Sequence, residues 1–452
     1  MKIRALFRII KILFKGYSVF REMNLPPKKR QASCNKRFLK QVKTRAFQTA
    51  FYPSHFERNK VNIEDIQSIN DIAKLPITTK NDLRNNAEGV TCKALNRNNA
   101  ITMATSGSTG VPTTVYRDDS WISGFIGSLI FCKRMHKINS VKIGLILDVS
   151  TQNSIESKMI TFGKYLAKRL FILDMNREIS DMMDELEKSD INYMITYTGV
   201  MRELANLRLA GRGQNLKFKK IFLSGEILDN YTRELVEKAF DCKCYSVYIS
   251  TEGGFIAAEC EQKQMHVFSN SVHVEIVDND GKPVNYGEIG TITLTGLDNG
   301  FGSKIIRYAG CADAGSLINV QCSCGLQTPI LGTILGRKID TIHLRNGQIF
   351  HPFTMTGLME KIQREYANDR IRQYQIVQES LDLITINLVR NTQFVKTHEN
   401  LEDLVSLIRN KYQFWVNNAI EFDVNEVVSI PKGNNIGMPT PLVISKLQLN
   451  GA

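Results

Sequence analysis

Residues 219–249, KKIFLSGEILDNYTRELVEKAFDCKCYSVYI, decide the class of fold. This stretch holds a strand-like apolar run at 219–224, a segment with helical periodicity at 229–240, and a second strand-like run at 244–249. A strand, a helix and a strand in succession are typical of a parallel βαβ unit. We therefore predict a mostly parallel sheet with helices packed on it.

The same alternation extends towards the N-terminus. Further strand-like runs are at 142–149, 169–173 and 191–196. Helix-like segments lie between and after them, at 155–168, 178–188 and 200–210. Residues 272–277 instead alternate apolar and polar side chains, and 289–295 resemble a second strand of that kind. Such alternation predicts an antiparallel segment.

Beyond Gly336 and Arg337 the predicted elements are short and mixed. They are helices near 353–366 and 399–412, and strands at 371–378, 382–389 and 419–430. We therefore expect an α/β protein with a basic amphipathic arm (1–46) and a large domain of mostly parallel sheets plus an antiparallel segment (47–337). A small mobile α+β domain (338–452) is expected to follow.

The positive charge of the chain is concentrated in the arm. The 452 residues carry a net charge of +13, and residues 1–46 hold 14 lysines and arginines but a single acid, Glu22. The rest of the chain is therefore neutral. Nucleic-acid enzymes usually carry basic residues along a groove of the folded body, so a nucleic-acid binder is the weakest hypothesis. No apolar run reaches the length that spans a bilayer.

The arm itself predicts a helix with an apolar stripe. The stripe residues recur at i, i+3 and i+4 between basic residues and are Ile3, Leu6, Phe7, Ile10, Leu13, Phe14 and Tyr17. In one interpretation the helix lies on an anionic membrane surface through residues 1–20. In the other it docks on the protein's own core. The odd number of cysteines, nine, and the lack of a recognisable secretion signal favour a cytoplasmic protein, peripheral to the inner face of the membrane in the first interpretation.

The strongest local motif is TSGSTGVPT at 105–113. Glycine and hydroxyl residues at this density suit a loop whose backbone N–H groups wrap a phosphate, although a plain Ser/Gly linker has a similar composition. The motif lacks the G-K-[ST] ending of a Walker loop.

Two further motifs lie at predicted strand ends, where α/β sheets bind ligands. Tyr248-Ile-Ser-Thr-Glu252 offers a ring that can stack on a base, a hydroxyl for phosphate, and a carboxylate for Mg²⁺. Asp313, which follows Ile306-Arg-Tyr308, can accept ribose hydroxyls, and Arg337 lies where the two predicted domains join.

In this order and spacing the motifs resemble the adenylate-forming ligases. The closer resemblance is to phenylacetate–coenzyme A ligases, and within them to the branch named for capsular-polysaccharide biosynthesis. The remaining matching segments are Leu75–Lys80, Ser224–Glu226, Glu259–His266, Val274–Val277, Cys322–Gly325 and Asn346–Pro352. The resemblance covers most of the chain.

This resemblance implies a two-step reaction and a role for each matched residue. A carboxylate and ATP form an acyl-adenylate, and coenzyme A or another acceptor then takes the acyl group. Thr251, Glu252 with Mg²⁺, and Arg337 would be catalytic. The residues that would bind ATP are Thr105, Ser106, Gly107, Ser108, Thr109, Gly110, Ser224, Gly225, Glu226, Tyr248 and Asp313.

Three positions depart from the family pattern. Val111 stands where the loop usually has lysine, and Asp313 comes one residue after the expected position, Ala312. The resemblance puts Met438 at the position of the catalytic C-terminal lysine, for which Lys432 or Lys446 would have to substitute. A thioether cannot stabilise the charge on the α-phosphate.

Four residues also have the chemistry of a zinc site. Cys260 and His266 are spaced C-x5-H, and Cys322 and Cys324 form C-x-C-G. Three thiols and an imidazole suit tetrahedral structural Zn²⁺, whereas the alternative is buried free thiols with an unrelated histidine.

Three functional hypotheses besides nucleic-acid binding follow. The first is an acid ligase of surface-polysaccharide biosynthesis that acts on a small carboxylic acid, with a homodimer as one expectation for its assembly. The second is a catalytically impaired relative that serves as a membrane-associated scaffold or partner, suggested by Val111, the displaced Asp313 and Met438. The third is a catabolic arylacetate–coenzyme A ligase, which the loop sequence and the basic arm make less attractive.

Overall fold

The structure is a computed structural model. It describes residues 2–104, 113–138, 142–147, 170–298, 300–337, 340–367, 370–391, 402–430 and 441–447. Three predicted features lie outside these ranges. One is the helix predicted at 155–168, and the other two concern the site. The two site features are the glycine–hydroxyl loop from Thr105 to Gly110 with Val111, and the segment that contains Lys432 and Met438.

The described α-helices are α1 (Lys2–Met23), α2 (Pro27–Lys40), α3 (Phe51–Arg58), α4 (Lys80–Asn85), α5 (Asp119–Met135), α6 (Ile179–Glu187), α7 (Thr198–Leu209), α8 (Asn230–Phe240), α9 (Pro352–Ile362) and α10 (Glu402–Trp415).

The first twelve strands are β1 (Ile101–Ala104), β2 (Thr114–Arg117), β3 (Ile143–Leu147), β4 (Leu170–Asp174), β5 (Tyr193–Tyr197), β6 (Lys220–Ser224), β7 (Lys243–Ser250), β8 (Gly254–Glu259), β9 (Met265–Val267), β10 (Val272–Val277), β11 (Gly290–Gly296) and β12 (Asp313–Ile318). The others are β13 (Ile330–Arg337), β14 (Ile342–His343), β15 (Ile349–Phe350), β16 (Ile371–Gln378), β17 (Leu383–Arg390), β18 (Glu421–Val427) and β19 (Val443–Ser445).

The chain divides into two compact units. Unit 1 comprises Met1–Val141, Thr151–Tyr165 and Tyr245–Thr333, and unit 2 comprises Lys142–Ser150, Leu166–Cys244 and Ile334–Ala452. The C-terminal segment therefore groups with residues 166–244 by its contacts. The division into domains at residues 46 and 337 stays a prediction.

Unit 1 contains the antiparallel part of the fold. The pairs β10/β11, β11/β12, β7/β8, β8/β9 and β9/β13 are all antiparallel. Alternation of apolar and polar side chains thus predicted this part correctly.

Helix α1 packs along α5 within unit 1. Two glycines allow the close approach, because a Cβ added to Gly16 would lie 2.8 Å from Ile126 and one added to Gly127 would lie 2.8 Å from Val19. Bidentate ion pairs hold the ends of α1, between Arg8 and Asp119 and between Glu22 and Arg37 of α2. Helix α1 of the predicted arm is therefore docked on the protein itself.

Unit 2 contains the parallel sheet. Strands β4, β3, β5 and β6 lie in that order, and each adjacent pair is parallel. Helices α6, α7 and α8 bury methionine and aliphatic side chains against it, with Met182, Met201, Leu204, Ile221 and Val236 in the core. Within residues 219–249, the strand predicted at 219–224 and the helix predicted at 229–240 are β6 and α8.

The C-terminal part of unit 2 has its own sheet and core. Its strand order is β18-β17-β16-β19, and α9 and α10 cover it with residues such as Met355, Met359 and Ile408. Arg364 and Arg372 make ion pairs to Glu234 of α8 and Glu203 of α7. The predicted small α+β region is present.

Candidate active site

The segments that carry the family resemblance in unit 1 meet around one buried arginine. Arg307 donates 2.6 Å hydrogen bonds to the carbonyl oxygens of Leu75 and Gly281 and lies 3.4 Å from a Glu275 carboxylate oxygen. The Thr78 hydroxyl donates to the carbonyl oxygen of Ile306 at 2.7 Å. Arg307 therefore joins these segments, and its neighbour Tyr308 is left to face the predicted site.

The carboxylate of Glu252 is held in place by Tyr308. Both side chains are buried, and the Tyr308 hydroxyl donates to Oε1 of Glu252 at 2.7 Å. The other oxygen, Oε2, has no hydrogen-bond partner among the described residues. Glu252 thus presents one oriented oxygen that is suited to a hard cation such as Mg²⁺.

The backbone of this turn is fixed by Arg117 at the end of β2. Its buried guanidinium donates to the carbonyl oxygen of Thr251 at 3.0 Å and to that of Glu252. Thr251 and Glu252 follow β7 directly, and antiparallel β8 begins two residues later. The tight turn therefore places both residues beyond the end of β7, as the sequence predicted.

Tyr248 and Asp313 form a second pair within unit 1. The Tyr248 hydroxyl donates to Oδ2 of Asp313 at 2.6 Å. Burial and the nearby Asp313 carboxylate raise the pKa of Tyr248 well above its usual value, so the hydroxyl stays protonated. Ala312 has a left-handed φ of 56°, and Asp313 begins β12 directly after it. This turn brings the displaced acid to the tyrosine.

The Ser224–Glu226 segment lies in unit 2 at the end of β6. Gly225 has a φ of +83°, and a Cβ there would lie 2.5 Å from Cδ1 of Tyr197. Glu226 accepts a 2.6 Å hydrogen bond from the backbone N–H of Gly199 in the first turn of α7. Burial raises the pKa of Glu226, although the charge of Arg202 and the Gly199 N–H act against it. Glu226 thus caps a helix and fixes the shape of the segment.

The remaining predicted residues are placed as follows. Arg337 ends β13, and its side chain makes no ion pair with any residue that the structure describes. Gly336 before it has a φ of +88°. Lys446, one of the two candidate substitutes for the missing lysine, makes a 2.5 Å ion pair with Glu379.

The four predicted metal ligands converge. The ligand atoms of Cys260, His266, Cys322 and Cys324 all lie within 4.8 Å of one another. The Sγ atoms of Cys260 and Cys322 are 3.6 Å apart, too far for a disulfide. Burial lowers the pKa of His266 to about 4, so its imidazole is neutral at pH 7 as a ligand must be.

The surroundings of the cluster also fit a metal. The Thr328 hydroxyl lies 3.1 Å from Nδ1 of His266, while Nε2 lies 3.3 Å from Sγ of Cys324. The backbone N–H groups of Gln262 and Leu326 point at the sulfurs of Cys260 and Cys324, at 3.3 and 3.5 Å. Such outer partners orient metal ligands. The donor set therefore fits a closed tetrahedral Zn²⁺ site.

A cavity of about 410 Å³ in unit 1 extends from the helices of the arm to Glu252. Its lining includes three exposed lysines, Lys15, Lys36 and Lys40, none of which is ion-paired to a described residue. The aromatic side chains Trp121, Phe125 and Phe255 also line it. This lining combines positive charge and apolar surface.

Sequence reasoning missed Arg117 and the cavity, and it gave Tyr308 no role. Arg117 ends an ordinary strand and contacts residues more than 130 positions away. A basic residue at the end of a strand is no signal by itself. Tyr308 belongs to the motif Ile306-Arg-Tyr308. Its hydroxyl had no assigned role, so it could have been proposed as a hydrogen-bond donor to one of the predicted acids.

With this geometry in view, the chain can be compared with known proteins. No protein-family model matches the sequence. Protein CapK of Staphylococcus aureus is 25% identical over 394 residues, which cover 85% of this chain and 83% of CapK. Phenylacetate-coenzyme A ligase of Thermus thermophilus is 22% identical, over 72% of this chain and 74% of the ligase.

Among solved structures, 2-hydroxyisobutyryl-CoA ligase in the postadenylation state with 2-HIB-AMP superposes with a TM-score of 0.77 at 18% identity. The match covers 94% of this chain and 91% of the ligase. The chain has the fold of the adenylate-forming ligases. The predicted resemblance to CapK and to phenylacetate–coenzyme A ligases is confirmed, and so is the predicted α/β fold class.

Proposed function

We propose that the protein is an ATP-dependent acid ligase. It would join a small carboxylic acid to AMP and then pass the acyl group to coenzyme A or another acceptor. The observation that carries this proposal is the Glu252 site, where Tyr308 and Arg117 fix an acid on the fold of known ligases. The 2-hydroxyisobutyryl-CoA ligase of the same fold was solved with an acyl-AMP and with coenzyme A.

In the first step a carboxylate oxygen attacks the α-phosphorus of ATP, the bond to the β-phosphate oxygen breaks, and pyrophosphate leaves. In the second step a thiol sulfur attacks the acyl carbon, AMP leaves, and the thiol proton is released. The enzyme contributes mainly positioning and charge stabilisation to such steps.

Residues of this chain take distinct parts in the proposed reaction. Asp313 would accept hydrogen bonds from the ribose hydroxyls, while Tyr248, whose hydroxyl donates to that carboxylate, would present its ring to the base. Glu252 would hold Mg²⁺, which supplies charge neutralisation at the phosphates. Thr251 would contact phosphate. Ser224, Gly225, Glu226, Arg337 and the loop Thr105–Gly110 keep the roles that the family resemblance implies.

We propose further that the acid enters through the cavity that reaches Glu252. Lys36 and Lys40, which make no ion pair with a described residue, would attract a carboxylate, and the aromatic lining would take its apolar part. The variant Lys36→Glu/Lys40→Glu is then expected to raise KM for the acid and to leave KM for ATP unchanged. Equal changes in both constants would contradict this entry route.

Direct detection of products tests the ligase proposal. The purified protein is incubated with ATP, Mg²⁺ and a panel of aryl, fatty and hydroxy acids, and acyl-AMP is measured by mass spectrometry before and after addition of coenzyme A. We expect acyl-AMP with at least one acid and acyl-coenzyme A after the addition. The absence of acyl-AMP with every acid would overturn the proposal.

The scaffold hypothesis is the second candidate, because Met438 stands in the lysine position and Lys446 is engaged by Glu379. Met438→Lys, measured beside the wild type, separates the two. Activity in the variant alone would indicate an enzyme that has lost its catalytic lysine. Activity in neither protein would favour the scaffold hypothesis. The catabolic arylacetate ligase predicts high activity with aryl acids alone.

The biosynthetic setting rests on the name CapK. We propose that the acyl group modifies a surface polysaccharide. Loss of the gene should then remove an acyl substituent from that polysaccharide, as measured by NMR, whereas an unchanged polymer would exclude this setting.

We also propose a structural Zn²⁺ bound by Cys260, His266, Cys322 and Cys324. The fit of three thiols and a neutral imidazole within 4.8 Å supports it. Elemental analysis should find one zinc per chain, and a Cys322→Ser protein should contain none.

For localisation we propose a cytoplasmic protein in peripheral contact with a membrane through residues 1–20. No helix of the described chain has the length and apolar character needed to cross a membrane. Contact would therefore be made by a surface of the folded protein, and α1 is the basic, exposed element that can make it.

A further inference from the structure

Helix α1 has two apolar faces, and the structure uses only one. The docked face consists of Ile12, Gly16, Val19 and Met23, which recur at helical spacing and are buried against the protein. The apolar stripe that the sequence predicted lies on the other side of the helix. If hydrophobicity alone decided which face is docked, the stripe would face the core of the protein.

The stripe on α1 is exposed. Phe7 is 68% exposed, Ile10 53%, Phe14 76% and Tyr17 51%. Their spacing of three and four residues aligns them along one side of the helix, over about 15 Å at 1.5 Å per residue. Exposing two phenylalanines, an isoleucine and a tyrosine in one row is costly in water and indicates an interaction surface.

The charge beside the stripe selects the kind of partner. Lys11 and Lys15 follow Phe7 at intervals of four residues, so they lie along one edge of the stripe. Both are exposed and make no ion pair with a described residue. Residues 1–46 also carry the entire net charge of +13. Aromatic side chains edged by lysines match the boundary between anionic headgroups and acyl chains.

Docking on α5 fixes the orientation of the stripe. The close contacts at Gly16 and Gly127 and the Arg8–Asp119 ion pair hold α1 by its inner face and its N-terminal end. The stripe therefore points outward from unit 1 without any part of the helix unfolding. A preformed, rigid surface binds without paying to order the helix.

We propose that Phe7, Ile10, Phe14 and Tyr17 insert into the interfacial region of an anionic lipid bilayer while Lys11 and Lys15 contact the headgroups. This inference rests on the peripheral membrane contact proposed above and requires no ligase activity. It names the surface and the lipid charge on which that contact depends.

Vesicle co-sedimentation of the full chain tests the inference. The probes are phosphatidylcholine vesicles with and without roughly 30% phosphatidylglycerol. We expect binding to the anionic vesicles at least tenfold tighter than to the neutral ones, and weaker binding at high salt. Phe7→Ser/Phe14→Ser should weaken binding at least tenfold, and Lys11→Ala about fivefold.

The matched control is Phe414→Ser on α10. Phe414 is 80% exposed, so it resembles Phe14 in exposure but belongs to unit 2. This variant should bind vesicles like the wild type. All variants change exposed side chains, and an unchanged thermal midpoint verifies that each is folded.

Three outcomes would overturn the inference and are distinguishable. No binding by the wild type would reject both this surface and the membrane contact itself. Binding to anionic vesicles that Phe7→Ser/Phe14→Ser retains would keep the membrane contact and reject this surface. Loss of a wild-type dimer in that variant, without lipid binding by the wild type, would assign the stripe to a second copy of the chain.

Discussion

The Glu252 site and the Cys/His cluster both lie in unit 1 and are built in opposite ways. At Glu252 the partners, Tyr308 and Arg117, hold the residue from behind and leave the carboxylate oxygen Oε2 without a partner among the described residues. In the cluster the four ligand atoms turn towards one another. An open arrangement can hold a substrate-bound cation, whereas a closed one serves the fold. Changes at the first should therefore alter activity, and changes at the second should alter stability.

The largest expected effect is on the open site. Glu252→Gln keeps the shape and still accepts the Tyr308 hydrogen bond, but it removes the negative charge for Mg²⁺. We expect the rate of acyl-AMP formation to fall about 100-fold or more, in the range for loss of one charge-stabilising group. The thermal midpoint should change little. Glu288→Gln, which alters an exposed acid, is the control and should keep full activity.

The closed site should show the reverse pattern. Cys322→Ser removes one ligand, and we expect the free energy of unfolding to fall by about 3 kcal/mol or more with loss of bound zinc. Activity per folded molecule should remain. Cys92→Ser, a buried thiol outside the cluster, should retain zinc. A Cys322→Ser protein as stable as this control would contradict a structural metal site.

Tyr308→Phe should affect both properties moderately. The buried Glu252 carboxylate loses its donor, so we expect the free energy of unfolding to fall by about 1–3 kcal/mol. The carboxylate would also lose its orientation, and a higher Mg²⁺ concentration should be needed for half-maximal activity. Measurement of the Mg²⁺ dependence tests this, and an unchanged dependence would mean that Tyr308 acts on stability alone.

The smallest expected effect is at Glu226, whose carboxylate caps α7. Its pKa is raised in the folded protein, so the folded state binds the proton more tightly than the unfolded state. The contribution of Glu226 to the free energy of unfolding is fully present below its pKa in the unfolded state. It is lost as the pH rises through its raised pKa in the folded state. Thermal midpoints across that window should fall less in Glu226→Gln than in the wild type. Parallel plots of thermal midpoint against pH for the two proteins would contradict a raised pKa of Glu226.

The sequence predicted regular and local features well. Strands β3 to β6 formed where apolar runs alternated with helical periodicity, and the ligand atoms of the four residues predicted to bind zinc lie within 4.8 Å of one another. Asp313 was chosen in spite of its shifted position, and the left-handed turn at Ala312 explains how it begins β12 beside Tyr248.

The sequence did not predict which distant residues contact each other or which face of a helix is buried. Arg117 reaches Glu252 across 135 positions, which no local pattern encodes. The sequence predicted an apolar stripe along α1. The structure docks the other side, which contains Gly16, because the close approach to Gly127 of α5 requires small residues there. Packing geometry rather than hydrophobicity decided which face was buried.

Acid-dependent exchange of labelled pyrophosphate into ATP tests the central claim most directly. It reports formation of the acyl-adenylate without knowledge of the acceptor. The account predicts exchange by the wild type with at least one carboxylic acid and none without acid. No exchange by the wild type with any acid would contradict the ligase proposal, and exchange by Met438→Lys alone would indicate an enzyme that has lost its catalytic lysine.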